Sequence, residues 1–436
     1  MATMYQLVEE HVETFFAQVE TETGAGLPEF VKDEFDAFLE CGVLAHGFLR
    51  LRCTNCAHEK LVAFSCKRRG FCSSCGARRM AQTAAHLVEH VIPRVPVRQW
   101  VLSFPIPLRY LLSNHPDLLS PVLQVINRAI STFLVKQADL KSNAAQTGAV
   151  TLIQRFGSAA NLNIHLHGLF LDGVYRIEGR VPVFQPERAR TAEQLHTLLS
   201  QIIKRIMKLL TRRGYLIEEY GMTYLAETDS DLAVAPLQSA ACTYRIALGP
   251  RAGQKVLSLK TVPRQGVHST AELCVSEHGF SLHADVRCAA NQRNQLERLC
   301  RYITRPAIAN NRLECNPAGD VVLQLKSPYQ DGTTHIVMSP LEFMQRLAAL
   351  VPRPRLNLIR FHGILAPNAK HRSEIIPNGG DNVNQATDQP EETPCSPSAT
   401  RISWARLLKR MFNIDLEHCS HCGGELKLSP PSKNPR

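Results

Sequence analysis

The sequence predicts an α+β protein in which a helical, cysteine-rich domain precedes a domain built on a β-sheet. Residues 4–22 repeat apolar side chains at helical spacing. Two Cys-x-x-Cys pairs follow, at 53–56 and at 72–75. Further along, residues 149–156 and 162–175 are two apolar runs around the polar stretch GSAAN, which predicts a β-hairpin or two adjacent strands. These three patterns set the order of the domains.

The composition limits the class of protein. The chain has 436 residues, which is enough for two or three domains. Its 44% apolar and 20% charged residues argue against a disordered chain, a collagen and a coiled coil. We expect no apolar run to approach the roughly 18–20 residues that span a bilayer, and the first residues are acidic and amphipathic. We therefore expect a cytoplasmic protein without a signal peptide or a membrane partner.

Charge is distributed unevenly along the chain. Lys plus Arg is 50 and Asp plus Glu is 39, so the formal net charge is 50 − 39, or +11. Residues 1–40 are strongly acidic, whereas residues 50–79 and 346–372 are basic blocks. Such blocks commonly contact phosphate, and a solvated basic face without a partner is the alternative.

The predicted elements follow one another with clear breaks. Residues 77–91 predict a helix, and VRQWVLSF predicts a strand after the prolines at 93 and 96. Further helices are predicted over 118–138, 192–213 and 291–303. The resulting domains are 1–95 (helical and cysteine-rich), 96–375 (built on the sheet), 376–400 (a disordered linker rich in Pro, Gly and Asn) and 401–436 (a basic tail with a partial Cys-x-x-Cys knuckle).

The cysteine pairs predict a structural zinc ion. Cys53, Cys56, Cys72 and Cys75 form two knuckles separated by fifteen residues, and zinc prefers four thiolates in a tetrahedron. The alternative is a set of reduced cysteines without a metal. Cys41 and Cys66 lie close by and complicate the choice of ligands. A distant pair, Cys419 and Cys422, is only half of a site, so we expect a partial knuckle there.

Two further patterns suggest chemistry. His165 and His167 are separated by one residue in a predicted strand, so both imidazoles point to the same face and could bind one divalent metal ion. Tyr302 lies in a predicted helix that also carries Arg298, Arg301 and Arg305. Each pattern has an ordinary structural alternative: two unremarkable histidines, and a half-buried tyrosine.

Taken in order, four motifs carry a resemblance to a known family. They are GFCSSCGARRMA with its upstream Cys-x-x-Cys, NLNIHLHGLFLDGVY, RYITRPAIANNRL, and a basic segment that ends in FHGILAP. Between about residues 4 and 372, the chain resembles the HUH rolling-circle transposases of the insertion-sequence ninety-one type and the related common-region elements.

The resemblance implies that residues 96–375 are a catalytic HUH nuclease domain, an antiparallel sheet with flanking helices that carries the histidines, and that residues 1–95 are a zinc-binding domain that contacts DNA. It also implies a catalytic Mg²⁺ or Mn²⁺ ion bound by His165 and His167. Tyr302 would be the nucleophile that forms a 5′-phosphotyrosine in single-stranded DNA at element ends and targets, in a bacterial cell and at its nucleoid.

A third metal ligand is expected. Gln154 is the candidate if the hairpin loop comprises residues 158–161, and Asp172 is the second choice. Eight arginines are candidates for DNA contacts: Arg68, Arg69, Arg78, Arg79, Arg298, Arg301, Arg305 and Arg312.

The chain departs from the two-tyrosine members of the family, which carry a second Tyr one helical turn from the first. Here Arg298 and Pro306 occupy the positions four residues before and after Tyr302, so the chain resembles the single-tyrosine branch. One Tyr could act twice, a second nucleophile could come from elsewhere, or activity could be impaired. Two other readings stay open, namely a zinc-dependent nucleic-acid-binding protein without catalysis and a rolling-circle replication initiator or relaxase.

Overall fold

The computed structural model describes residues 3–141, 144–178, 181–187, 190–226, 233–260, 273–329, 331–376, 409 and 415–429. These residues form a mixed α and β protein whose sheets are antiparallel. The helices are α1 (Thr3–Thr23), α2 (Glu29–Glu40), α3 (Ser73–His90), α4 (Ile106–Asn114), α5 (Leu119–Gln137), α6 (Ala192–Arg212), α7 (Val234–Cys242), α8 (Arg293–Thr304), α9 (Pro340–Leu350) and α10 (Arg372–Ile375). The strands are β1 (Phe48–Cys53), β2 (Glu59–Ala63), β3 (Val97–Ser103), β4 (Ala145–Gln146), β5 (Gly148–Phe156), β6 (Leu162–Leu171), β7 (Gly173–Glu178), β8 (Val181–Pro186), β9 (Leu216–Glu219), β10 (Met222–Leu225), β11 (Leu257–Lys260), β12 (Cys274–Glu277), β13 (Phe280–His283), β14 (Arg287–Cys288), β15 (Leu313–Cys315), β16 (Val321–Gln324), β17 (Thr333–Met338), β18 (Ile359–Gly363) and β19 (Leu426–Leu428).

The N-terminal helices are held together by aromatic side chains. The helical spacing of residues 4–22 produces α1, and its apolar face packs against α2. Phe15, Phe35 and Phe71 are fully buried, with ring centroids 6.0 Å apart for the first pair and 4.8 Å for the second. Buried aromatic pairs stabilise a fold beyond the area that they remove from water. Because Phe71 directly precedes Cys72, this core fixes the start of α3.

A seven-stranded sheet forms the centre of the molecule. Its strands run in the order β12-β13-β3-β6-β5-β18, and β14 pairs with β3 beyond β13. The predicted hairpin is confirmed as β5 and β6, which pair antiparallel around residues 157–161. With β3 on one side and β5 on the other, β6 is an inner strand along most of its length.

The two faces of this sheet carry different helices. On one face, Trp100, Leu102 and Leu166 pack in a core with α4, α5 and α6. On the other face, Leu152 and Leu169 pack in a core with α3 and α8. Since residues two apart along a strand share a face, the odd-numbered residues of β6 between 165 and 169 face α8.

One long apolar helical stretch lies in the first of these cores. Within the described residues, Pro116–Gln137 is long and apolar enough to span a membrane by length and composition alone, and 56% of its 18-residue apolar segment is buried inside the protein. The expectation that no stretch is long and apolar enough to span a bilayer is therefore wrong. The residues of α5 that are buried pack with α6 and the central sheet, as the residues of a core helix do.

Smaller sheets surround the centre: β4-β7-β8, β9-β10 and β11-β17-β16-β15. A fourth small sheet joins the two ends of the chain, because β19 pairs antiparallel with β1 to give the order β19-β1-β2. Residues 415–429 are therefore packed on the N-terminal sheet, whereas the sequence predicted a separate tail. Residues 377–400 of the predicted linker lie outside the described residues.

Candidate active site and cysteine clusters

Strand β6 brings the two predicted histidines together on the face that is covered by α8. His165 pairs with Ser103 of β3, and His167 pairs with Val101. The two imidazole ring centroids are 4.9 Å apart. This separation follows from the alternation of the strand, and it allows both rings to reach one ion.

Burial keeps both imidazoles neutral. It lowers the pKa of His165 to about 4 and that of His167 to about 3, and nearby positive charges act in the same direction. Nδ1 of His165 lies 2.9 Å from the carbonyl oxygen of Asn163, which fixes Nδ1 as the donor and leaves Nε2 with a free lone pair. Nδ1 of His167 lies 2.8 Å from the side-chain amide of Gln99. With the amide oxygen of Gln99 turned toward the ring, Nδ1 donates to it and Nε2 carries the lone pair that a metal ion requires.

An unsatisfied atom marks the position that a metal would occupy. Nε2 of His167 is buried and has no hydrogen-bond partner among the described residues. A buried polar atom without a partner is costly and needs an explanation. Two neutral imidazole nitrogens on one face fit a divalent first-row metal ion, and the ion would satisfy the orphaned nitrogen.

Gln154 lies directly opposite His165, on β5. Its Nε2 donates to the carbonyl oxygen of Ile303 in α8, at 2.9 Å. That bond fixes the amide and leaves Oε1 able to bind a metal ion. The strand register that would place Gln154 opposite His165 is therefore present. The pairing of β5 with β6 becomes irregular only after Gln154, before Phe156.

Asp172, the second choice of ligand, has a different set of contacts. Its side chain is buried just beyond β6 and accepts hydrogen bonds from Arg98 at 2.8 Å, Arg190 at 2.9 Å and Arg287 at 2.6 Å. Because both carboxylate oxygens are occupied by guanidinium groups, the proposal of Asp172 as a metal ligand is wrong.

Tyr302 lies on α8 beside the histidines. Its ring centroid is 6.5 Å from that of His167, with the planes nearly perpendicular, and the side chain is 42% exposed. Two cations lie over the ring: Nζ of Lys326 is 3.5 Å from the centroid, and Cζ of Arg305 is 4.5 Å from it. Burial alone would raise the pKa of Tyr302, but Lys326 and Arg305 outweigh burial, and the net shift in pKa is downward.

Several of the predicted DNA-contacting arginines line one cleft. The cleft lies between α3, β5 and the end of α8, and has a volume of about 330 Å³. It reaches Gln154 and therefore adjoins the histidine pair. Its basic lining residues are Arg68, Arg69, Arg79, Arg155 and Arg305.

The other predicted arginines are spread around the same region. Arg298 is exposed on α8, and Arg301 forms an ion pair with Glu297 at 2.6 Å. Arg78 and Arg312 each donate a hydrogen bond to a neighbouring segment of the chain. The structure therefore brings Arg305 to the tyrosine and distributes the remaining arginines over a wider surface.

Two groups of four cysteines stand out among the described residues. The first comprises Cys41, Cys66, Cys72 and Cys75, whose Sγ atoms all lie within 4.8 Å of one another. The Sγ atom of Cys75 is 3.4 Å from that of Cys66 and 3.7 Å from that of Cys41. Four thiols at these separations are the donor set of a structural zinc ion.

The second group comprises Cys53, Cys56, Cys419 and Cys422. The Sγ atoms of Cys53 and Cys422 are 3.5 Å apart, and those of Cys56 and Cys419 are 3.6 Å apart. The predicted single set of Cys53, Cys56, Cys72 and Cys75 is therefore wrong in its pairing, although each of these residues belongs to a cluster. The Cys53–Cys56 knuckle lies at the turn of the β1–β2 hairpin, strand β2 lies between it and Cys72 in the sequence, and the C-terminal pair is half of a complete cluster.

Comparisons with known proteins give the same domain order. Residues 7–104 match a family model described as "Transposase zinc-binding domain", and residues 148–373, just over half of the chain, match one described as "Putative transposase". A search of curated proteins and a search of solved structures each found no match. The zinc-binding domain and the second matched region together define a DNA transposase. The chain belongs to the transposase family of the insertion-sequence ninety-one type.

Membership of this family implies that the chain binds DNA and cuts and joins its strands, and the zinc-binding match together with the cysteine clusters indicates structural zinc. Sequence reasoning missed Lys326, Arg155 and Gln99. Each is close to the histidines, the tyrosine or the cleft only through tertiary structure, and none lies in a recognisable motif. Cys41 and Cys66 lie near the two Cys-x-x-Cys pairs but belong to neither. Their presence was the available signal that the zinc ligands could be grouped differently.

Proposed function

We propose that this transposase nicks and rejoins single-stranded DNA through a covalent 5′-phosphotyrosine at Tyr302, and so drives rolling-circle-type transposition. One observation carries the proposal: the phenol of Tyr302 lies beside the buried ring of His167, which is paired with the half-buried ring of His165, and both histidines come from a distant part of the chain. A bacterial cytoplasm, with the protein acting at the nucleoid, is part of the proposal.

The phenol oxygen of Tyr302 attacks the scissile phosphorus in line with the leaving group. The bond from phosphorus to the 3′ oxygen breaks, the 3′ oxygen takes up a proton, and the phenol proton passes to solvent. The 5′ phosphate then remains attached to Tyr302. Rejoining is the reverse reaction with a 3′-hydroxyl of another end, so no external energy source is needed.

The surrounding residues supply charge and orientation. Lys326 and Arg305 lie over the phenol and favour its ionised form, and the guanidinium of Arg305 would also bind a phosphate of the DNA. His165, His167 and Gln154 would hold the divalent ion, which when bound polarises the phosphate and offsets the charge that develops on it. The arginine-lined cleft next to Gln154 provides a path for the strand.

A second tyrosine nucleophile finds no support at Tyr175. That side chain is only 5% exposed and packs against Phe184, and burial raises its pKa to about 12. We therefore propose that Tyr302 is used for both cleavage and rejoining.

The test is a denaturing gel of the full chain after incubation with single-stranded element ends and Mn²⁺. We expect a protein–DNA adduct that is absent in Tyr302→Phe and retained in Tyr220→Phe, a matched control because Tyr220 is almost fully exposed in the β9–β10 turn. Mass spectrometry of the linked peptide identifies the nucleophile and shows whether the 5′ or the 3′ end of the cleaved DNA is attached to it. Salt-dependent DNA binding without any adduct would instead indicate a binding protein without catalysis.

A further inference from the structure

The second cysteine cluster joins segments from opposite ends of the chain. Cys53 ends β1 and Cys56 lies in the turn that follows it, whereas Cys419 and Cys422 precede β19. We propose that these four residues bind a second structural zinc ion, which fastens residues 415–429 to the N-terminal sheet. Residues 419 and 422 lie outside both regions matched by the family models.

The distances between the sulfur atoms fit a metal ion. Zinc bound by four thiolates at about 2.3 Å in a tetrahedron separates the sulfurs by about 3.8 Å. The two measured separations across the cluster are 3.5 and 3.6 Å, and all four Sγ atoms lie within 4.8 Å of one another. A disulfide would require about 2 Å, so the cluster is closer to a metal site than to a pair of disulfides.

Both cysteine pairs have the backbone of a metal knuckle. The amide of Asn55 donates to Sγ of Cys53, and that of His421 donates to Sγ of Cys419, each at 3.4 Å. A residue with positive φ closes each turn, namely Ala57 at 57° and Gly423 at 72°. Two matching turns, one from each end of the chain, are the halves of one closed site.

Hydrogen bonds hold the two halves in register. The amide of Thr54 donates to the carbonyl of Glu425 at 3.0 Å, and that of Ser429 donates to the carbonyl of Arg50 at 2.9 Å. The core beneath is small: Leu51, Leu416 and Leu426 are its buried aliphatic side chains, and Cys53 and Cys419 complete it.

A three-residue strand over so small a core is marginal by itself. The zinc ion therefore supplies much of the attachment, and the C-terminal segment is a structural part of the zinc domain. This inference does not depend on Tyr302 or on the proposed cleavage.

The experiment counts zinc ions per chain in the full-length protein, by native mass spectrometry and by atomic absorption. We expect two for the wild type, one for the double variant C419S/C422S, and one for C53S/C56S. The matched control is C274S/C315S, which removes two exposed cysteines outside both clusters and is expected to keep two ions. Retention of one ion in the cluster variants also shows that the first cluster is still folded.

Replacement of zinc by Co²⁺ provides a second measurement. The tetrahedral thiolate spectrum of the cobalt protein should fall by half in C419S/C422S. Two zinc ions in C419S/C422S, or one ion in the wild type, would overturn the inference. The inference would also be overturned if these four cysteines resist alkylation in the denatured, unreduced protein, because that result would indicate two disulfides.

Discussion

The two ends of strand β6 carry buried polar groups that differ in their partners. Just beyond one end, the carboxylate of Asp172 accepts hydrogen bonds from three arginines. Toward the other end, His167 has a buried Nε2 without a partner among the described residues. A satisfied buried network stabilises a fold, whereas an unsatisfied group costs stability and is retained where a ligand completes it. We therefore expect the carboxylate of Asp172 to stabilise the fold and the imidazole of His167 to take part in the reaction.

The largest effect should come from His167→Leu. Losing a ligand of the divalent ion should lower the rate of adduct formation about a thousandfold, since metal ions contribute several kcal/mol to such reactions. The free energy of unfolding should change by no more than about 1 kcal/mol, because Leu removes the orphaned Nε2 at similar volume but leaves the buried amide of Gln99 without its partner. Single-turnover cleavage and urea denaturation measure the two quantities.

The control for this variant is His362→Leu, on the opposite face of the sheet. Nε2 of His362 lies 3.1 Å from the side-chain amide of Asn127, so its removal should cost about 1 kcal/mol of stability and leave cleavage unchanged. A His167→Leu protein that cleaves normally, or that is strongly destabilised, would contradict the division between the two ends of β6.

Asp172→Asn should have the reverse outcome. Removing the shared charge leaves Arg98 and Arg287 without their carboxylate partner and leaves Arg190 paired with Glu187 alone, which should lower the free energy of unfolding by about 3 kcal/mol. Under conditions where the variant is folded, its rate of adduct formation should stay within about twofold of wild type. A large loss of rate in stably folded Asp172→Asn would show that the two ends are coupled.

The pH dependence of stability tests the same carboxylate. Burial alone would raise the pKa of Asp172, but the hydrogen bonds from Arg98 and Arg287 and the charge of Arg190 lower it from 3.8 to about 2. A carboxyl group with a depressed pKa in the folded state stabilises above its unfolded pKa, and this contribution is lost as the pH falls through the folded value. The stability difference between wild type and Asp172→Asn should therefore shrink between pH 4 and 2. Near pH 7 the difference also reflects Glu187, whose pKa burial raises to about 7 and whose repulsion by Asp172 is lost in the variant. A difference that does not change with pH would contradict an ionic origin.

Local periodicity accounts for what could be predicted from the sequence. The alternation around His165 and His167 fixes the hairpin and the shared face, and the turn fixes Gln154 opposite His165. Which knuckles share a cluster could not be predicted, because every cysteine pair has the same local signature and only the tertiary path brings Cys419 to Cys56. Roles for Tyr302 and the histidines in catalysis stay predictions.

The smallest effect should come from Lys326. Its replacement tests how the surroundings of the histidine pair act on the phenol of Tyr302. Its ammonium lies over the ring of Tyr302, and with Arg305 it lowers the pKa of the phenol. In Lys326→Met the pKa of Tyr302 should rise, so a smaller fraction of the phenol is ionised at neutral pH. A rise of one pKa unit would lower the rate of adduct formation about tenfold, and the rate should recover at more alkaline pH.

Lys326→Arg keeps the positive charge and should retain most of the activity. Measured pH–rate profiles for the three proteins decide the matter: an equal loss at every pH in Lys326→Met would mean that this side chain positions DNA and does not act on the phenol.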